Sequence, residues 1–204
     1  RAVVAQESSN TMTILTSILR LRQICAAPEL LKIAADKLTE KGLKKGETSE
    51  KAEKTLSVLN QSIKEAGDIE SSPKVEFLET KIRELHLEGH SVLVYSQFRS
   101  MLDVLEPRLE SKGLKYYRLD GSTPVMKRKK DVDDFQTSKE PATYLISLKA
   151  GGVGLNLTKA SVVFFVEPWW NPAVENQAAD RTHRIGQQKH VFVYRLLMAD
   201  SIEE

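Results

Sequence analysis

The chain has 204 residues, 41% of them hydrophobic, enough for one full domain with an appendage and a sizeable buried core. Thirty basic against twenty-eight acidic residues leave a net charge of +2, too near neutral for bulk charge to announce a nucleic-acid partner, so any such partner has to be argued locally. The lone Cys25 excludes an internal disulfide and a cysteine metal cluster, and no apolar run approaches the roughly 18 residues of a membrane span; with no signal-peptide stretch in "RAVVAQESSN", the chain reads as soluble and intracellular.

In chain order, Ile14, Leu15, Ile18, Leu21 and Ile24 recur at helical spacing, and "DKLTEKGLKKGETSEKAEK" follows with almost no core-forming residues. Residues 1–72 therefore read as a helical appendage and a solvated, mobile charged segment; its acids nearly cancel its lysines, which weakens a reading of it as a DNA-binding arm. Ser72 and Pro73 supply an N-cap and N1 pair, and Val75, Leu78, Ile82 and Leu85 make the next helix apolar on one face. From Ser91 onward apolar runs alternate with helical patterns: "SVLVYS", a helix around Met101, Leu102, Leu105 and Leu109, "KYYRL", a helix from about Pro124 to Phe135, "ATYLIS", "SVVFFVE", a helix from Pro172 and "VFVYRLL". This alternation predicts an α/β domain over residues 73–204, a parallel sheet covered by helices. The polar ending "SIEE", a helix start with nothing after it, reads as a piece cut from a longer chain.

Four polar stretches fall where strands end. "YSQFRS" follows the first strand and "LDGSTP" the second, at the edge where open α/β sheets bind ligands. In "LISLKAGGVGLNLTKAS" a strand runs into Gly151, Gly152 and Gly154; a dinucleotide fingerprint fails there because Leu157 stands at the third glycine position and no room remains for the following helix. Either the loop is a tight strand connection or its N–H groups, with Ser147, Lys149 and Asn156, face an anion. "EPWWNP" sets two adjacent indoles that cannot both enter one core; Trp169 is the candidate for packing under the loop and Trp170 for facing outward. Asn171 and Pro172 then cap a helix expected to run through "PAVENQAADRTHRI" to Gly186, with Gln177, Arg181 and Arg184 on one face. A solvated face with an Asp180–Arg184 pair explains those residues, and so does polyphosphate recognition by two guanidinium forks.

In this order, "VLVYSQFRSMLDVLE", "YYRLDGSTP", "ISLKAGGVGLNLTKAS", "EPWWNP" and "NQAADRTHRIGQ" resemble the second, C-terminal RecA-like lobe of the SWI/SNF-type DNA translocases of helicase superfamily 2. "LRLRQICAAPELL" and "SSPKVEFLE" look like that family's lead-in. The resemblance implies a RecA-like sheet with helices on both faces. It makes Arg181 and Arg184 arginine fingers, sets Gly152, Gly154, Asn156 and Gln177 along the nucleotide cleft, and sets Gln97, Arg99, Ser147, Lys149 and Trp170 on the DNA. It also implies ATP with Mg2+, bound mainly by a first RecA-like lobe of the same parent, and double-stranded DNA within protein–DNA complexes as partners. The compartment would be the nucleus of a eukaryote or the cytoplasm and nucleoid of a bacterium, and the crowded "PWWNP" looks more like the bacterial branch. Neither a GxxxxGK[ST] loop nor an Asp-Glu magnesium pair occurs here, so this lobe alone is expected to be inactive. Glu167 departs from the family's more usual aspartate before "PWWNP". A strand-separating helicase and a catalytically silent DNA-binding scaffold are the competing functions.

Overall fold

The structure, a computed structural model, describes residues 2–45, 57, 60, 61, 72–150, 155–169, 171–182 and 189–204. The chain divides into two compact units, Arg1–Ser72 with Met198–Glu204, and Pro73–Leu197; the last seven residues thus group with the helical unit rather than with the sheet.

The first unit is built on helices α1 (Ala2–Ala26) and α2 (Glu29–Lys45). They meet at a short corner, where Leu30 N–H bonds to the Ala27 carbonyl and Ala26, Ala27, Leu30 and Leu31 are buried. Ile14, Leu15, Leu21 and Ile24 stay exposed on α1. Residues 36–45, expected as the start of a mobile segment, are instead the second half of α2. Lys, Leu, Glu and Ala are good helix formers, so local propensity carries the helix past the point where its apolar pattern gives out. Most of the rest of the charged segment lies outside the described residues.

The second unit is a five-stranded, all-parallel sheet in the order β2-β3-β1-β4-β5, a RecA-like α/β arrangement. The strands are β1 (Ser91–Ser96), β2 (Tyr116–Leu119), β3 (Thr143–Ser147), β4 (Ala160–Phe165) and β5 (Phe192–Arg195). The helices are α3 (Pro73–Leu87), α4 (Arg99–Ser111), α5 (Val125–Thr137) and α6 (Pro172–Ala179). β1, β3 and β4 are buried along their whole length, which is why they read as continuous apolar runs rather than alternating ones. One face carries Leu93, Tyr95, Tyr144, Ile146, Val163 and Phe165, packed with Phe135 of α5 and Ala178 of α6. The other is met by α3 and α4; Phe77 of α3 packs edge-on against Phe164 of β4, and Arg118 of β2 reaches α4. β5 is an edge strand whose four residues are all exposed.

Gly89 and Gly113, at φ of 83° and 65°, end α3 and α4. The paired bonds His90 N–H to Leu85 carbonyl and Leu114 N–H to Leu109 carbonyl close each helix and turn the chain into β1 and β2. Lys74, buried at the start of α3, donates to the carbonyls of Val166 (2.7 Å) and Leu196 (2.9 Å) and so holds the exits of β4 and β5 together. Among the described residues no helix is long and apolar enough to cross a membrane.

Candidate nucleotide and nucleic-acid site

Parallel strands bring their C-terminal ends to one edge, and the order of this sheet makes β1 the switch point. From β1 the chain crosses to β2 on one side, while β4 lies on the other, and the end of β1 is the place where open α/β sheets of this kind bind ligands. Ser96 of β1 pairs with Ser147 of β3, and Tyr95 with Phe165 of β4. The exits at Gln97, Leu148–Ala150 and Val166–Trp169 are therefore neighbours by register.

Glu167 joins two of them. Its carboxylate, almost completely buried, accepts the Ser96 hydroxyl (2.8 Å to Oε1) and the Gln97 N–H (3.1 Å to Oε2). The Ser96 oxygen in turn accepts the Phe98 N–H, and the Ser96 carbonyl accepts the Leu148 N–H from the exit of β3. Glutamate's extra methylene is used here to reach across from β4 to β1. Gln97 Nε2 is buried without a hydrogen-bond partner, whereas Lys149 is exposed and Ser147 is buried with its carbonyl accepting the Ala150 N–H.

Arg99, at the start of α4, is exposed and cross-linked to the exit of β2 through Asp120 Oδ2 (3.0 Å) and the Ser122 hydroxyl (2.9 Å). Asp120 is buried, which by itself would raise its pKa; the Ser122 hydroxyl and N–H together with the Arg118 guanidinium overcome that and hold it down at about 2. Arg118 also pairs with Asp103 and Glu106 of α4; against the opposing effect of burial these acids keep it charged.

On the other side of β1, Glu175 of α6 is a second buried acid with one oxygen for each of two loops. Oε1 accepts the Trp169 N–H (2.8 Å) and Oε2 the Arg195 Nε–H (2.6 Å). Trp169 packs half-buried on the core, as expected of the inner indole. Asn171 caps α6 by accepting the Ala173 N–H, with Pro172 in the first turn.

The helix does not continue through residue 185. It ends at Ala179, where the N–H groups of Arg181 and Thr182 and the Thr182 hydroxyl fold back on the carbonyls of Ala178 and Ala179 and tighten the last turn. Gln177 and Arg181 thus do not share a helical face, and Arg181 is not a freely projecting cation: it is buried, 9% exposed. Its guanidinium lies close enough to Tyr95 to oppose the rise that burial imposes on that phenol, which donates to the Ala178 carbonyl. The Arg181 carbonyl accepts the Leu157 N–H at 3.0 Å, tying the turn after α6 to the exit of the glycine-rich loop. Asn156 and Gln177 are exposed. Gly152, Gly154, Trp170 and Arg184 lie outside the described residues. Asn156, Gln177 and Arg181 each carry the kind of N–H donor that phosphate oxygens accept from. The two buried glutamates were not legible beforehand, because an acid beside a proline or within a polar helix carries no mark of burial.

Residues 73–186 match the family described as the helicase conserved C-terminal domain. The chain is 46% identical over 136 residues to the chromatin-remodeling ATPase INO80 of Neurospora crassa, covering 67% of this chain and 7% of that protein. It is 37% identical over 199 residues to the SNF2 domain-containing protein ENL1 of Oryza sativa, covering 93% and 20%, and 36% identical over 201 residues to the DNA excision repair protein ERCC-6-like of Danio rerio, covering 96% and 14%. The crystal structure of the C-terminal part of the Fun30 ATPase domain superposes with a TM-score of 0.62 at 39% identity, over 65% of this chain and 43% of that one. The chain therefore spans a fifth or less of these curated relatives. Fungal, plant and fish relatives lend no support to the bacterial likeness of "PWWNP".

Proposed function

This chain belongs to the helicase conserved C-terminal domain family, as the C-terminal RecA-like lobe of a SWI/SNF-type ATPase, and on that premise we propose that it is the second motor lobe of a double-stranded-DNA translocase. The parent uses ATP with Mg2+ held mainly by a first lobe, and remodels protein–DNA complexes in the nucleus. Arg181 and Arg184 act as arginine fingers beside Asn156, Gln177 and the loop of Gly152 and Gly154. Gln97, Arg99, Ser147, Lys149 and Trp170 follow the DNA backbone, holding phosphates without reading bases.

The observation that carries the reading is the Leu157–Arg181 bond. It couples the exit of the glycine-rich loop to the turn that bears the first finger, on the opposite side of β1 from the exposed Arg99 and Lys149. Closure of the two lobes would draw Arg181 out of its buried position toward the γ-phosphate, so that hydrolysis and the DNA track move through one rigid sheet.

Arg181→Ala and Arg184→Ala in the full-length parent are each expected to lower DNA-stimulated hydrolysis by about 10³ to 10⁵ in kcat, with ATP binding largely kept. Arg→Lys should rescue little, because a point charge lacks the fork. Near-normal turnover in both alanine variants would remove the fingers from the mechanism. Comparing single- and double-stranded DNA as activators separates the translocase from a strand-separating helicase, and an inert parent would mark a scaffold.

A further inference from the structure

We propose that the N-terminal half of α5 is a second contact for the DNA duplex, a basic ledge that extends the track from Arg99 along the sheet edge; the inference rests on the reading above. Helix α5 is charged against its own dipole. A helix is favoured by acids in its first turn and bases in its last, yet α5 has neither. Lys127, Arg128, Lys129 and Lys130 fill its first half, and Asp131, Asp133 and Asp134 its second. Such an arrangement costs local stability, and a ligand that uses the cations accounts for it.

The placement of that cationic half is fixed by topology. α5 follows β2, so it starts at the edge where the parallel strands end and runs back toward the opposite edge. Its lysines therefore come nearer to the candidate site along the helix than its aspartates do. The loop that leads into α5, Asp120–Thr123, is the one cross-linked to Arg99. Arg128 is turned partly inward toward Tyr144, whose phenol it influences, while Lys127, Lys129 and Lys130 are exposed. Lys127 and Lys130 lie one turn apart on the same flank. Both oppose the rise that burial imposes on the pKa of Asp131 on the same helix.

Point charges at short intervals on a convex helix suit a stiff, repeating polyanion, and continuity with Arg99 favours the duplex already placed there. Val125 and Met126, 78% and 80% exposed beside the lysines, are what an acidic protein would use instead, so the test includes one.

The experiment measures binding of the full-length parent to duplex DNA by anisotropy across a salt series, comparing the native protein with Lys127→Gln/Lys130→Gln. Loss of two phosphate contacts should make the slope of log K against log salt shallower by about 1.8 and weaken binding roughly 10- to 60-fold at 0.1 M salt. The Tm should stay level or rise, since the clash with the helix dipole is relieved, and Lys127→Arg/Lys130→Arg should keep the native slope. An unchanged slope in the glutamine variant, with weakened binding in Lys149→Ala, overturns the ledge alone. Unchanged binding in both overturns the reading of the whole edge as a DNA track. A glutamine variant that binds DNA normally but loses poly-glutamate overturns the ledge in favour of an acidic protein partner.

Discussion

A carboxylate can hold two loops at once because each oxygen accepts independently, and Glu167 and Glu175 are both used in this way. Glu167→Gln keeps the shape but has one acceptor oxygen where the carboxylate has two, so its NH2 either faces the Gln97 N–H donor to donor or takes the place of the acceptor that the Ser96 hydroxyl uses. A buried donor left facing a donor costs about 1 to 3 kcal/mol, and thermal unfolding of the lobe should show a lowered Tm. Glu167→Asp, the family's more usual residue, retains the charge but withdraws it by a methylene from Ser96 and should cost less. A Tm unchanged in the glutamine variant would mean that the exit of β1 holds its geometry without the acid. Residue chemistry of this kind is what the sequence hides most: Arg181 stands among polar neighbours that read as a solvated helix, yet it is buried against Tyr95, and nothing in "NQAADRTHR" distinguishes the two.

The elements were far more legible than the residues that join them. The 3,4 spacing of Met101, Leu102, Leu105 and Leu109 gave α4 its buried face, and the apolar run "SVLVYS" gave β1, because a strand covered on both sides has no polar alternation to preserve. The sequence pattern places the end of the helical appendage too early and the end of α6 too late, for opposite reasons. Propensity prolongs α2 beyond its apolar face, while Thr182 and the bond from Leu157 stop α6 before the expected glycine. Between elements, His86 of α3 makes a 3.0 Å hydrogen bond with Thr143 of β3. Burial, aided by Lys159, lowers its pKa from 6.5 to about 4, so the folded lobe disfavours the protonated ring. The unfolded chain binds that proton first, and stability is therefore lost as pH falls from 6.5 toward 4. Asp120 acts lower, its contribution lost between 3.8 and about 2. Melting curves from pH 7 to 4.5 should show a decline that His86→Gln flattens; an equally steep decline in the variant would assign the effect to other groups.

For the molecule as a whole, a net charge of +2 conceals local separation: along α5 four cations precede three acids, while Asp120, Glu167 and Glu175 are acids held buried where strands end or α6 begins. The isolated 204-residue chain is expected to bind duplex DNA weakly and with steep salt dependence, and to hydrolyse no ATP, since it has neither a phosphate loop nor a magnesium-binding acid pair. Hydrolysis by the pure chain that disappears in Arg181→Ala would show that the nucleotide site is completed within this lobe. At this scale the parallel character of the sheet was readable from the strand and helix alternation, but its order was not. That β3 lies between β2 and β1 depends on pairings across many residues, which no local pattern encodes.

The bond from Leu157 to Arg181 runs between two backbone groups. Mutation can therefore hardly reach it: at position 157 any residue but proline still carries the donor, and every residue at 181 carries the acceptor. Drift can replace the guanidinium, repack the buried Leu157 side chain or rewrite the glycine-rich loop while the link between loop and turn persists. Descendants of this lobe would accordingly keep the tie between loop and turn whatever the side chains at its two ends become.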